Sequence, residues 1–129
     1  MWYRSAEFGY FAVALALLGV LHAAAVAFFL YWTYPWLDIP MHALGGTVVA
    51  LGFLVAHVAL RHGAGEAGFW TTLAFVLAVG TLWEIFELWG GINGPHEPDY
   101  IADTTLDVVM DLLGSVAGYF IYERTRAKA

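Results

Sequence analysis

Four unbroken apolar runs, at about residues 8–32, 40–60, 69–89 and 103–122, restrict this chain to one kind of structure. Each holds about 20 residues or more, enough for a helix to cross the ~30 Å hydrocarbon core of a bilayer. Inside a bilayer every backbone N–H and C=O needs an internal partner, so only helices and closed barrels can span it. Barrel strands are short and alternate apolar with polar residues. These runs do neither. The expectation is an all-α, polytopic membrane protein, a four-transmembrane-helix bundle in which residues 1–129 form a single transmembrane domain. Composition agrees: 61% of residues are hydrophobic and 12% are charged, about half the ~25% charged content of soluble domains.

The first run resembles the apolar part of a signal peptide, and Ala23 to Ala25 resemble a cleavage site. Signal-peptide cores are only about 7–15 residues long. This run continues through Phe28 to Trp32, so it is read as a retained helix. The basic residues set the orientation. Arg4 precedes the first helix, Arg61 follows the second, and Arg124, Arg126 and Lys128 follow the fourth. With four spans all five fall on one side, and the excess of Lys and Arg marks the cytoplasmic face. The expected topology is N-in/C-in, in a plasma (inner) membrane. Aromatic residues gather near both rims, Tyr31, Trp32, Trp36 and Trp89 outside, Trp2, Tyr3 and Trp70 inside, as an aromatic belt requires. Gly114 and Gly118 form a G-x-x-x-G pair, and Gly19, Ala23 and Ala27 repeat at the same spacing. Small-residue ridges let membrane helices approach closely, and Gly45-Gly46 is read the same way. Five basic residues make no phosphate footprint, so no nucleic-acid partner is expected. The absence of cysteine removes disulfides, thiolate metal sites and a cysteine nucleophile.

The informative residues are acids in the wrong solvent. Asp103, Asp107 and Asp111 fall at i, i+4 and i+8 in the fourth run, on one helix face. Asp38 and His42 open the second helix one turn apart, and Glu84 and Glu87 lie in the outer third of the third. Topology puts all of them at one level, from the outer surface to about 12 Å inward. A charged acid near the bilayer centre costs about 2.5–3.5 kcal/mol on insertion scales. No Lys or Arg stands on the outer side to offset Glu84, Asp107 or Asp111. Three remedies remain: a bound cation, protonation, or a water-filled cavity. A divalent metal is preferred, with Asp38, His42, Glu84, Glu87, Asp103, Asp107 and Asp111 as the candidate ligands. Carboxylates with one His suit Mg²⁺, Mn²⁺, Zn²⁺, Fe²⁺ or Ca²⁺. Such a metal activates water or polarises a phosphoryl or carbonyl oxygen, which makes Asp107, Glu84 and His42 the candidate catalytic residues.

Blander roles compete. Asp103 suits the N-cap of the fourth helix, and Asp38 that of the second, with Pro40 in its first turn. Glu87 suits a solvated rim. His22 suits a packed neutral side chain or a proton route, His57 and His62 the inner rim, and His96 a loop closing over the site. Trp83 and Trp89 suit packing and the belt. No Ser/His/Asp arrangement, phosphate loop or dinucleotide fingerprint occurs.

The order Asp38-x-x-x-His42, Trp-Glu84-x-x-Glu87, then Asp103-Thr104-x-x-Asp107 with Gly114 and Gly118 resembles the YjdF-like inner-membrane proteins. These are distantly similar to VanZ-like proteins, which are associated with glycopeptide resistance. The resemblance covers residues 38–118. The outer loop carries no Arg, and Glu87 stands where VanZ-like proteins often carry Gln, which favours the YjdF-like side. The resemblance implies a small polytopic membrane protein and supplies no reaction.

Three functions follow from the residues. The first is a metal-dependent membrane hydrolase or transferase acting on an outer-leaflet lipid or a lipid-linked envelope substrate. The second is a cation or proton transporter or channel subunit, which needs a polar route below Asp111, where only His22 and small residues stand. The third is a non-catalytic accessory protein whose acids join helices. Partners are expected to be membrane lipid and a lipid-linked substrate, and the length is compatible with a homo-oligomer.

Overall fold

The computed structural model describes residues 6–60, 67–91 and 99–127. Among them there are helices and turns and no strands. Four helices carry the fold: α1 (Ala6–Ala27), α3 (Asp38–Leu60), α4 (Phe69–Gly90) and α5 (Tyr100–Arg126), with a short α2 (Leu30–Thr33) between the first two. All four spans, Ala6–Ala27, Pro35–Leu60, Phe69–Gly90 and Tyr100–Arg126, are long and apolar enough to cross a membrane. Large hydrophobic side chains such as Val13, Val20, Trp70, Leu82, Trp89 and Ile101 point outward. That is a liability in water and the ordinary condition of a lipid-facing surface. Of the basic residues used for orientation, Arg124 and Arg126 close α5 at the end of the bundle opposite the acids. Arg4, Arg61 and Lys128 lie outside the described residues, as do His62, His96, Trp2 and Tyr3.

The first run is not one helix. α1 stops at Ala27, and Phe29 takes φ 57°, ψ 33°, the left-handed region. A non-glycine residue held there costs roughly 1–2 kcal/mol. Two hydrogen bonds hold the turn: the Thr33 N–H and the Thr33 hydroxyl both donate to the Phe29 carbonyl, at 3.1 and 3.0 Å. The chain then passes through α2 and a 3-10 turn at Pro35–Leu37 straight into α3. Asp38 is therefore already helical, with φ −61°, ψ −41°, rather than a cap in extended conformation. Likewise α5 begins three residues before Asp103. The Asp103 N–H donates to the Asp99 carbonyl at 2.9 Å, so Asp103 sits in the first turn and is not the N-cap. At the other boundary, α4 ends on Gly91 at φ 67°, a left-handed C-cap that glycine adopts without penalty.

The α3–α5 interface is the most extensive, and α3 also touches α1 and α4. Glycines bring these backbones together. A Cβ on Gly46 would collide with the Asp111 main chain, one on Gly114 with the Ala43 carbonyl, and one on Gly118 would lie 2.8 Å from the Thr47 carbonyl. Thr47 fastens the seam, its hydroxyl lying 2.9 Å from the Ala43 carbonyl and 3.0 Å from the Gly114 carbonyl across the interface. The second ridge behaves differently. Gly19 meets nothing within 4 Å among the described residues, and Ala23 and Ala27 are exposed, so this ridge is not packed against another helix there. Toward the Arg124 end Leu51, Leu54, Ala67 and Tyr122 are buried together, Phe53 stacks on Phe75 at 4.4 Å, and Thr72, Ser115 and Glu7 are the buried polar residues among those described.

Candidate metal centre

The start of α3, the end of α4 and the start of α5 meet at one end of the bundle. One helical turn separates Asp38 from His42 on α3, and one separates Asp107 from Asp111 on α5. Close packing of α3 on α5 sets the two pairs face to face. The His42 imidazole lies between them and is buried. Its Nε2 is 3.8 Å from Asp38 Oδ1 and 3.9 Å from Asp107 Oδ1. Its Nδ1 is 3.3 Å from Asp111 Oδ1, within hydrogen-bonding distance.

This geometry divides the acids by role. A proton on Nδ1 is donated to Asp111, which leaves the Nε2 lone pair facing Asp38 and Asp107. Metal-binding histidines are commonly held this way, one nitrogen on a carboxylate and the other on the ion. Asp38, His42 and Asp107 form a group that could hold a metal ion, each offering one donor atom, all within 4.8 Å of one another. Donors about 2.4 Å from a shared ion can be up to ~4.8 Å apart, so the spacing fits oxygen and nitrogen ligation. Asp107 supplies the sharpest sign of a missing partner. It is 1% exposed, and neither of its carboxylate oxygens has a hydrogen-bond partner among the described residues. A buried carboxylate without a partner is among the most expensive arrangements a protein can hold. Asp38, 30% exposed, forms the open side.

Asp111 fits because glycines leave it room. Its Oδ2 occupies the space where a Cβ on Gly80 of α4 would stand, and its Oδ1 lies 3.9 Å from the Cβ position of Gly45. Glu84, one turn above Gly80, is buried, accepts a hydrogen bond from Thr104, and leaves Oε1 without a hydrogen-bond partner among the described residues. Glu87 is buried rather than solvated and accepts a 2.9 Å hydrogen bond from the Trp83 indole, so Trp83 does more than fill the belt. Asp103 is exposed, one turn above Asp107. Of the seven candidate ligands, three converge, Asp111 contacts the histidine, Glu84 and Glu87 lie on α4 beside the cluster, and Asp103 lies at its rim.

The residue that sequence reasoning placed elsewhere is Tyr31. It reads as a belt aromatic, yet its hydroxyl lies 2.9 Å from His22 Nδ1. Burial, and then the carboxylates of Asp38 and Glu87, hold that hydroxyl above its ordinary pKa of 10.0. The left-handed turn at Phe29 turns Tyr31 back toward α1, and no signal in the sequence announces that turn.

Residues 2–128 match the family described as "Predicted membrane protein (DUF2238)", and the chain belongs to that family. No curated protein matches the chain. No solved structure matches it either.

Proposed function

We propose that this member of the DUF2238 family binds a divalent cation through Asp38, His42 and Asp107 and uses it on a lipid or lipid-linked substrate at the outer membrane surface. The observation that carries the reading is the buried Asp107 carboxylate, both oxygens without hydrogen-bond partners among the described residues, within reach of the same point as His42 Nε2 and Asp38 Oδ1. A dication there offsets two carboxylates in a region where no Lys or Arg is at hand. Two oxygens and one imidazole nitrogen suit Zn²⁺, Mn²⁺, Fe²⁺, Mg²⁺ or Ca²⁺. Bound there, the ion would act as a Lewis acid toward a phosphoryl or carbonyl oxygen or activate water. Asp111 keeps His42 in the tautomer that presents Nε2. Glu84, whose Oε1 has no hydrogen-bond partner among the described residues, is a group available to take a proton from water or a hydroxyl.

Three further considerations support the reading. The end of the bundle opposite Arg124 and Arg126 is the exterior under the positive-inside rule, which puts both termini in the cytoplasm and the cluster at the outer face of a plasma membrane. Below Asp111 the buried hydroxyls of Ser115 and Thr72 are bonded to carbonyls of their own helices and Glu7 lies only at the inner end, with Leu51 and Leu54 between, which favours chemistry at the outer rim over conduction. The resemblance of residues 38–118 to YjdF-like inner-membrane proteins agrees with a site that works within a membrane.

The test is metal content of the detergent-purified protein beside Asp107→Asn. Near-stoichiometric divalent metal in the wild type, lost in the variant, is the expected result. No metal in either protein, with both folded, would sink the metal reading.

A further inference from the structure

A single dication does not balance the acids at this end of the bundle. Held by Asp38, His42 and Asp107, it offsets Asp38 and Asp107. Asp111 has His42 Nδ1 at 3.3 Å. Glu84 is left over. It is 7% exposed, and its Oε1 has no hydrogen-bond partner among the described residues. No Lys or Arg occurs between Arg61 and Arg124, so neither α4 nor α5 before Arg124 carries a side chain of fixed positive charge. A buried carboxylate oxygen in that position lacks the compensation that burial demands.

The packing of α4 on α5 sets Glu84 beside Asp107. The two helices run in opposite directions, α4 toward the acid end and α5 away from it. Their register is fixed where Asp111 Oδ2 fills the place of a Cβ on Gly80. Four residues further toward the acid end, about 6 Å along each helix, Glu84 and Asp107 stand at one height. Thr104, three residues before Asp107 and on the same side of α5, donates a hydrogen bond to the other Glu84 oxygen. That bond turns the Glu84 carboxylate toward α5 and carries Oε1 with it. Glu84 is also close enough to Asp107 and to His42 for their charges to interact. Asp107 therefore has His42 of α3 on one side, 3.9 Å from Oδ1, and Glu84 of α4 on the other. Neither of its oxygens is taken up by a hydrogen bond among the described residues.

We propose that the centre takes two divalent cations with Asp107 as the bridge between them. Asp38, His42 and one Asp107 oxygen hold the first. The other Asp107 oxygen and Glu84 Oε1 hold the second. This rests on the metal-centre reading and deepens it. Two carboxylates are few ligands for most ions and ordinary for Mg²⁺, or Mn²⁺ in its place, which keeps several waters and accepts substrate oxygens in the remaining positions. Ions paired in this way stand about 3.5–4 Å apart, a separation one bridging carboxylate can span, and together they clamp the attacking and leaving oxygens of a displacement. With the second position filled, Glu84 serves as a ligand rather than a free base, and the ion itself makes bound water more acidic.

The experiment titrates Mn²⁺ into the full chain, stripped of metal and held in detergent. Bound ions per chain are counted, and electron paramagnetic resonance spectra are recorded at each step. The expected wild-type result is saturation at two ions, with the six-line signal of an isolated Mn²⁺ replaced by the broad spectrum of a spin-coupled pair. Glu84→Gln keeps the side chain's size and an oxygen for Thr104, and it should bind one ion with the six-line signal retained. Saturation of the wild type at one ion, lost in Asp107→Asn, would keep the first position and overturn the second, whether or not the Glu84 variant folds. Two ions in Glu84→Gln, or two ions without coupling in the wild type, would overturn it as well. No bound ion in folded wild type sinks the second position together with the first.

Discussion

Exchanging Asp111 for Asn separates a ligand from the group that orients one. The substitution keeps the side chain's size, so the space it occupies against Gly80 and Gly45 remains filled and the α3–α5 seam is undisturbed. What changes is the partner of His42 Nδ1, 3.3 Å away. An amide oxygen still accepts a hydrogen bond but carries no charge, so the imidazole becomes a weaker donor to the ion and its orientation loosens. Outer-shell partners of this kind are worth about 10–100-fold in metal affinity, or roughly 1.4–2.7 kcal/mol. Asp107→Asn removes one of three protein donors and should cost more. The assay is competition between the purified protein and a chromophoric chelator for Zn²⁺ or Mn²⁺, on wild type and both variants. Wild-type affinity in Asp111→Asn would refute the orienting role. A loss in Asp111→Asn equal to or greater than that in Asp107→Asn would show that Asp111 is itself a ligand.

Other consequences follow from the same contacts. Gly46→Ala would place a Cβ 2.7 Å from the Asp111 carbonyl carbon and should destabilise the protein by about 1–3 kcal/mol or more. Gly19→Ala, with nothing within 4 Å, should not, and thermal unfolding in detergent compares the two. Thr47→Val deletes the hydroxyl joining α3 to the Gly114 carbonyl, at an expected cost of about 0.6 and at most ~1.7 kcal/mol in the same assay. Metal affinity should fall as pH is lowered from neutral, because protons compete with the cation for the deprotonated carboxylates and imidazole, and titrations at several pH values would detect it. Metal at a hundred times its Kd should stabilise the wild type by about 2.7 kcal/mol and leave Asp107→Asn unchanged.

Much of this structure is legible one helix at a time. Run length is a one-dimensional property, so four spans can be read from residues 8–122 without knowing how they pack. The pairs Asp38/His42 and Asp107/Asp111 are also local, since the helical period alone puts each on one face. What needs the third dimension is the rotation and height of one helix against another. Asp103 shares the face of Asp107, yet it lies one turn higher, where the bundle has ended, and is exposed. Gly19-Ala23-Ala27 and Gly114-Gly118 have the same spacing, and only the second meets a partner helix. Spacing states that a helix can be approached and not that it is. The break at Phe29 has no glycine or asparagine to mark it. It depends on Thr33 capping the Phe29 carbonyl, a contact that exists only after the turn has formed.

The tightest interface of the bundle and its candidate metal centre are one structure. Gly46 and Gly114 let α3 and α5 approach until the Asp111 main chain rests on Gly46. That approach is what brings His42 within reach of Asp107 and Asp111 together. A wider separation, as larger residues at these positions would impose, would leave each acid pair on its own helix, free to meet lipid headgroups or water and too far apart to share an ion. The glycines therefore act on function through distance. They contribute no donor atom, yet they convert two ordinary i, i+4 pairs into a converging set. The cost is a buried Asp107 with no hydrogen-bond partner among the described residues, which tertiary packing must hold in place. A cation at this point would bridge α3 to α5 on the side where Thr47 already joins them, so binding and helix association reinforce each other. Small residues at the seam and acids beside it make a single device, and neither half is explained without the other.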